Sequence, residues 1–307
     1  MRMVLIAALV ACSPSGTTAE HGDAPPGPDA TAPDAADPST ACAGKTAQPV
    51  DSTWTVAVGS GNRTARVHVP ASYDPMRPTP IVLNAHGRTS NATQQAWLSH
   101  MSQKADAEGF IVIYPESSTS PTSWNSGGGC CDPAAAQGVD DRGFIRALLD
   151  AAEAKLCVDP ARVYATGLSN GGYLAHTLAC DLDERIAAIG AVAGLLQLDT
   201  CAATRPMPVL LVHGTADTLV RYDWLPATVS YWKTKNGCAT QSTTFSNGSA
   251  SCVTHGGCTA GADVVVCTIQ GGGHQWPGGE TVPFLGSNTN DLVATDALWS
   301  FFLAHPR

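Results

Sequence analysis

A serine hydroxyl is a weak nucleophile at neutral pH and attacks a carbonyl only when a nearby base can take its proton. Residues 167 to 171 read Gly-Leu-Ser-Asn-Gly, directly after the run Ala161-Arg-Val-Tyr-Ala-Thr-Gly167 and directly before a helical pattern. A Gly-x-Ser-x-Gly sequence between strand and helix forms a nucleophile elbow, which holds the serine exposed on a sharp turn. Gly167 and Gly171 lack the Cβ atoms that would clash there, so Ser169 is the candidate nucleophile.

With an elbow of this kind the acid and then the histidine follow the serine along the chain. Of the histidines after Ser169, His176 lies in the helix that begins at the elbow and is too close along the chain to reach back. His305 ends a terminal amphipathic helix, where a solvated side chain near the last carbonyls is the plain reading. His255 falls in a small loop between Cys252 and Cys258 and reads as a surface residue. His274 follows the strand pattern Ala262-Asp-Val-Val-Val-Cys-Thr-Ile269 and sits in Gly271-Gly-Gly-His-Gln-Trp-Pro-Gly-Gly279. An exposed loop at a strand end is where a rigid sheet carries a base, so His274 is the expected one.

For the acid, Asp181, Asp183 and Glu184 read as the solvated end of the elbow helix, and Asp263 lies within a strand pattern. Asp217 ends Pro208-Val-Leu-Leu-Val-His-Gly-Thr-Ala-Asp217, a buried-strand run stopped by a glycine turn. A carboxylate there falls on the same strand-end edge as Ser169 and His274, able to accept the Nδ1 proton and fix the tautomer. Asp223 and Asp199 are held in reserve, and an Asx-turn or helix cap is the competing reading of Asp217. The oxyanion hole should draw one backbone amide from Asn170, after the nucleophile. The second comes from the end of Pro80-Ile-Val-Leu-Asn-Ala-His-Gly-Arg-Thr89, where Arg88 is the first choice and Thr89 the other. His86, which precedes the serine, reads as a structural residue beneath the site.

These segments together resemble the esterase family that joins polyhydroxybutyrate depolymerases to feruloyl and acetyl xylan esterases, within the α/β-hydrolase superfamily. The likeness rests on His86-Gly87, Ser123-Trp-Asn-Ser-Gly-Gly-Gly-Cys-Cys131, Val139-Asp-Asp-Arg-Gly-Phe144 and Val158-Asp-Pro-Ala-Arg-Val-Tyr-Ala-Thr-Gly-Leu-Ser-Asn-Gly-Gly172. It continues through His213-Gly-Thr-Ala-Asp217 and Gly273-His-Gln-Trp-Pro-Gly-Gly279, spanning about Thr55 to the C-terminus. The resemblance implies the same Ser169, Asp217 and His274; no cofactor is expected. Arg88 departs from it, a bulky cation where the family often has a small or sulfur-bearing residue.

The elements expected to position these residues alternate between strand and helix. Strand patterns lie at 54–58, 65–69, 81–85, 110–114, 163–166, 187–192, 209–212 and 264–269, with helical patterns at 92–107, 141–156, 171–179, 227–235 and 291–304. Such alternation predicts an α/β-hydrolase fold, a mostly parallel central sheet with helices on both faces, and an antiparallel hairpin through Ser60-Gly-Asn62. Residues 42–307 form the expected esterase domain, long enough to bury a core.

Residues 1–12 read as a lipoprotein-type signal peptide, with Leu9-Val-Ala-Cys12 resembling a lipobox and Cys12 the lipidated residue; an ordinary signal peptide cleaved nearby, leaving a free extracellular protein, is the competing reading. Residues 13–41, rich in Pro, Ala and Asp, cannot bury enough apolar surface to fold and read as a tether. An exported chain keeps its cysteines in an oxidising compartment, and of eleven, ten remain after Cys12. Disulfides are expected with open connectivity, although Cys130 and Cys131 are not expected to join each other. A zinc site is disfavoured because no Cys-x-x-Cys or His-x-x-x-His spacing occurs.

The net charge of −9 with no basic stripe disfavours a nucleic-acid partner. The expected partner is an ester substrate, met by a monomer tied to a membrane by its lipid anchor alone. Trp124, Tyr222, Trp224 and Trp276 flank the candidate segments; each alone reads first as packing, and together they are the candidates to line an aromatic acyl pocket, Trp276 foremost because it lies two residues from His274. The chain stops at Arg307 with no binding module in view, which favours feruloyl or acetyl esters of plant polysaccharide fragments, or short hydroxyalkanoate esters, over crystalline polyester. A polyhydroxybutyrate depolymerase working on polymer is the alternative. A degenerate surface binding protein is the alternative of another class, opposed by all three triad residue types standing in order.

Overall fold

The structure, a computed structural model, describes residues 42–128, 130–197 and 201–307. The signal peptide with Cys12, the tether 13–41 and the reserve acid Asp199 lie outside the described residues.

Ten strands make one sheet in the order β1-β2-β4-β3-β5-β6-β7-β10-β9-β8. They are β1 Asp51–Val58, β2 Gly61–His68, β3 Thr79–Ala85, β4 Ile111–Pro115, β5 Val158–Leu168, β6 Ala188–Val192, β7 Val209–Gly214, β8 Thr240–Asn247, β9 Ala250–Gly256 and β10 Val264–Ile269. The six central strands pair in parallel, while β1-β2-β4 at one edge and β10-β9-β8 at the other pair antiparallel. The chain runs outward from β3 to β4 and then returns past β3 to β5, so the strand order reverses between β3 and β5. Crevices at such a switch point, outside the carboxyl ends of the strands, are where open α/β sheets bind ligands.

The helices are α1 Ala92–Ser99, α2 Met101–Glu108, α3 Asp141–Lys155, α4 Asn170–Asp181, α5 Leu225–Asn236 and α6 Ala294–Ala304. Successive side chains of a strand point to opposite faces, so each central strand feeds two cores. On β5, Val163 and Ala165 join the layer under α3, α4 and α5, while Tyr164 joins the layer under α1, α2 and α6. There Tyr164 stacks on Phe302 with ring centroids 4.6 Å apart, and Phe110 stacks on Trp299 at 3.9 Å.

The single helix expected over 92–107 is two helices, because His100 adopts a left-handed φ of 53° between them. The strands β8 and β9 had no counterpart in the sequence reading. All eight residues of β8 are exposed and mostly polar, so the strand lacks the apolar alternation that reveals one. His255 accordingly lies in β9, buried opposite Val264, and is not a surface loop residue.

All ten cysteines from Cys42 onward are paired: Cys42–Cys157, Cys130–Cys131, Cys180–Cys201, Cys238–Cys258 and Cys252–Cys267. The Cys130–Cys131 bridge corrects the expectation that these neighbours would not join. The peptide between them is cis, with the two Cα atoms 2.9 Å apart.

A buried ion pair ties helix to sheet. Arg63 on β2 donates to Asp141 in the first turn of α3 at 2.9 Å, and its guanidinium lies 4.0 Å over the Phe144 ring. The second Asp141 oxygen accepts from the Asn125 amide at 2.7 Å. Burial pushes the Asp141 carboxyl up, partly offset by that amide and by Arg63. Removing one partner strands a buried charge, so Asp141→Ala should cost about 3–5 kcal/mol in chemical denaturation. A loss under about 1 kcal/mol would show that the pair does not anchor α3.

His176 on α4 is fully buried, accepts at Nδ1 from the Trp232 indole at 3.1 Å, and has its pKa pushed down to about 3 by burial. A depressed pKa gives stability that is complete above the unfolded value and drains as pH falls toward the folded one. Between pH 6.5 and about 3, His176 should therefore contribute a slope approaching about 1.4 kcal/mol per pH unit. Replacing it in His176→Gln should flatten the stability-against-pH curve over that window by close to one proton. An unchanged slope would mean that the imidazole is not held neutral.

Candidate active site

Ser169 leaves β5 with φ 55° and ψ −123°, a left-handed conformation that L-residues rarely adopt. Its neighbours make the turn possible. A Cβ on Gly167 would come within 2.5 Å of the Ala85 carbonyl, and one on Gly171 would overlap the same oxygen. The Ser169 amide donates to the Val192 carbonyl on β6 at 2.9 Å, fixing the tip of the turn to the sheet. The exit of β3 runs alongside, since a Cβ on Gly87 would lie 3.4 Å from that of Ser169.

Two strands away, β7 ends in the turn that carries Asp217. One carboxylate oxygen accepts from the Leu219 and Val220 amides, each at 2.9 Å, and the other accepts from His274 Nδ1 at 2.7 Å. A proton on Nδ1 leaves Nε2 as the basic nitrogen. Burial pushes the Asp217 carboxyl up, but His274 and the two amides outweigh it and hold the group below its ordinary value. The carboxylate therefore remains charged and keeps the imidazole oriented. Burial and then the Asp217 charge push the nearby Tyr173 hydroxyl up to about 12. His213 stands behind the pair, 3.6 Å from Asp217, with Nε2 donating to the Val220 carbonyl at 2.7 Å. Burial lowers its pKa, so it supports the turn as a neutral ring.

His274 is held through its backbone, its amide donating to the Leu285 carbonyl at 2.7 Å. The next side chain, Gln275, donates to the Val282 and Gly286 carbonyls and accepts from the Val282 amide, clamping segment 282–286 against the His274 loop. Ser169 and His274 share no hydrogen bond in the structure. Such contacts often close only when substrate arrives, so an open pair does not exclude the roles.

The amide of Asn170 opens α4 beside Ser169, where helix N–H groups lack intrahelical partners. Of the two candidates for a second donor, the Thr89 amide is spent on the Thr122 carbonyl at 2.8 Å. The Arg88 amide has no partner among the described residues, which favours it over Thr89.

Three expected site residues lie elsewhere. Trp124 and Trp276 are fully buried with their indole N–H groups spent on His86 O and Thr295 Oγ1, so neither offers a face to substrate. Tyr222 is half-buried, bonds Thr268 at 2.8 Å and packs edge-on against His213, behind the Asp–His pair. Asp223 is exposed and paired with Arg221, which removes it as a reserve acid. Exposed apolar groups adjoin the segments that hold the pair: Leu219, whose amide donates to Asp217, and Phe284, 84% exposed and next to Leu285. Sequence reasoning also missed the side chain of Asn170. That amide accepts from the Trp124 amide at 2.6 Å and donates to the Trp124 carbonyl and to Ser126, tying the 123–131 loop to the elbow. Its place after the nucleophile was the signal available.

Three comparisons bear on this arrangement. Residues 67–237 match the family described as Esterase PHB depolymerase. A bifunctional acetylxylan esterase/xylanase from Neocallimastix patriciarum is 28% identical over 70% of this chain and 31% of its own length. Feruloyl esterase B from Piromyces equi is 30% identical over 69% of this chain and 42% of its own, so the chain spans well under half of these two relatives. A putative esterase from Nocardia uniformis subsp. tsuyamanensis is 29% identical over 98% of both chains. Among solved structures, an acetyl xylan esterase from Aspergillus awamori superposes with a TM-score of 0.58 at 19% identity, over 73% of this chain and 94% of that one. A CE1 ferulic acid esterase from Anaeromyces mucronatus does so with 0.54 at 15%, over 85% and 94%. Both structural likenesses speak for the α/β-hydrolase fold. With the family match covering more than half of its residues, the chain belongs to the esterase PHB depolymerase family.

Proposed function

We propose that this protein is a serine carboxylic ester hydrolase that works through an acyl-enzyme. One observation carries the reading: a carboxylate-oriented histidine, Asp217–His274 at 2.7 Å, on the sheet edge that also bears Ser169 in its strained turn. His274 Nε2 takes the Ser169 proton as Oγ attacks the ester carbonyl, and Asp217 stabilises the imidazolium that forms. The new oxyanion is held by the amides of Asn170 and Arg88. His274 then gives its proton to the departing alcohol, leaving the acyl group on Ser169. Water, deprotonated by the same nitrogen, attacks that acyl group, and the acid and free serine are restored.

The substrate class rests on relatives named as feruloyl and acetylxylan esterases, and on the family name for hydroxyalkanoate esters. Feruloyl or acetyl esters of plant polysaccharide fragments, or short hydroxyalkanoate esters, are proposed on that footing. Five disulfides fit export to an oxidising compartment. Lipidation of Cys12 would then hold the exported enzyme at a membrane.

Ser169→Ala should lose roughly three or more decades of turnover with the fold intact, and His274→Ala should match it, because the two act as one unit. The check is kcat on an acetyl ester beside a thermal melt. Turnover within tenfold of the parent in either variant would end the triad assignment, and an inactive His255→Ala would move the base. A panel of acetyl, feruloyl and hydroxybutyrate esters compared by kcat/KM ranks the substrates, and no hydrolysis of any of them would remove the esterase reading.

A further inference from the structure

We infer that the side chain of Arg88 selects esters that carry a free carboxylate close to the scissile bond, an inference that rests on the esterase reading above. Arg88 follows Gly87, at which a Cβ would lie 3.4 Å from that of Ser169, and Arg88 is itself exposed. The side chain is not left to wander. Its Nε donates to the Asp132 carbonyl at 2.8 Å, just beyond the Cys130–Cys131 bridge, which fixes the plane of the group across the loop.

The two terminal amino groups of Arg88 have neither a hydrogen bond nor an ion pair among the described residues. Among the described residues Arg63, Arg66, Arg77, Arg142, Arg162, Arg185 and Arg221 each meet a carboxylate, Arg205 and Arg307 meet carbonyls, and Arg146 on α3 shares with Arg88 the lack of any carboxylate. Partners are not scarce, as the chain holds 26 Asp and Glu against 17 Lys and Arg. Asp132 itself turns its carboxylate away to accept from the Ala136 amide. An anchored guanidinium with its fork unpaired suits one chemistry best, the bidentate capture of a planar carboxylate. Its backbone amide is the proposed oxyanion donor, so a carboxylate bound by the side chain lies a short distance from the reacting carbonyl. Two substrate sources share this chemistry: the free acid end of a short hydroxyalkanoate oligomer, and a uronate unit in an acylated sugar fragment.

The test compares kcat/KM for matched pairs in two arms, the 3-hydroxybutyrate dimer against its methyl ester, and acetylated galacturonic acid against its methyl ester. The parent should prefer the anion in at least one arm by about fivefold or more at low salt, and added sodium chloride should erode that preference. The arm that shows the effect identifies the source. Arg88→Gln should bring the ratio close to one, while Arg88→Lys should retain part of it. A ratio that is the same in parent and Arg88→Gln overturns the inference, as does an equal loss on neutral and anionic esters, which would mean that the side chain only positions its own backbone. Calorimetric binding of the same anions to Ser169→Ala, with and without Arg88→Gln, separates this from the activity. Anion binding weakened by Arg88→Gln in a protein whose parent hydrolyses nothing would keep the carboxylate site and remove the esterase. Equal binding with an active parent would do the reverse.

Discussion

The site depends on one close approach of backbones. Ala85 at the end of β3 comes so near to Gly167 and Gly171 that a methyl group on either would meet its carbonyl. That contact forces the chain through the left-handed turn at Ser169 and starts α4 immediately afterwards. A non-glycine residue with positive φ costs on the order of 1–3 kcal/mol and persists only where the surroundings over-determine it. Here they do: the Ser169 amide is tied to Val192, Gly172 touches the backbone of Gly194, and α4 is buried along nearly its whole length. The strain is met by packing on every side, which leaves the serine no other conformation.

Several polar groups beneath the turn are spent on one another, while Thr166 Oγ1 on β5 and His176 Nε2 on α4 stay unpaired among the described residues. Asn170 spends its side chain on Trp124 and Ser126, Trp124 spends its indole on the His86 carbonyl, and Asp141 spends an oxygen on Asn125. An unsatisfied buried group would cost about 1–3 kcal/mol, so each of these bonds specifies a position as much as it stabilises one. The consequence is a continuous buried framework from the Arg63–Asp141 pair on α3, through the 123–131 loop, to the proposed oxyanion amides of Asn170 and Arg88. The geometry around Ser169 is thereby set in part by residues behind the turn, on α3 and in the loop before it.

The sequence was legible where a pattern is local and forced. Gly167-Leu-Ser-Asn-Gly171 reads as one turn, and the apolar runs of β3, β7 and the second half of β5 are hydrophobic enough to be read as buried, as they are. Chain order then paired Asp217 with His274, which the structure joins by a hydrogen bond. What sequence could not yield was direction. Trp124 and Trp276 lie beside the right segments, yet both rings turn inward, because each indole N–H finds a buried acceptor that no spacing rule announces. The polar hairpin of β8 and β9 stayed hidden for a related reason. Its order comes from pairing with β10 and from the cross-strand Cys252–Cys267 bridge, both non-local, and not from an apolar period of its own.

The proposed base is supported from a distance by the helix that closes the chain. Trp276, two residues beyond His274, donates to Thr295 on α6, and Thr295 donates in turn to the Ser99 carbonyl at the end of α1. The Ala294 amide reaches back to the Pro277 carbonyl, so the loop is stitched to α6 by backbone as well as side chain. A histidine on an otherwise irregular loop thus inherits the rigidity of two helices and of the buried Asn84–Gln95–Ser99 network beneath them. Buried Trp276 thus holds the loop that carries His274 through its bond to Thr295 on α6.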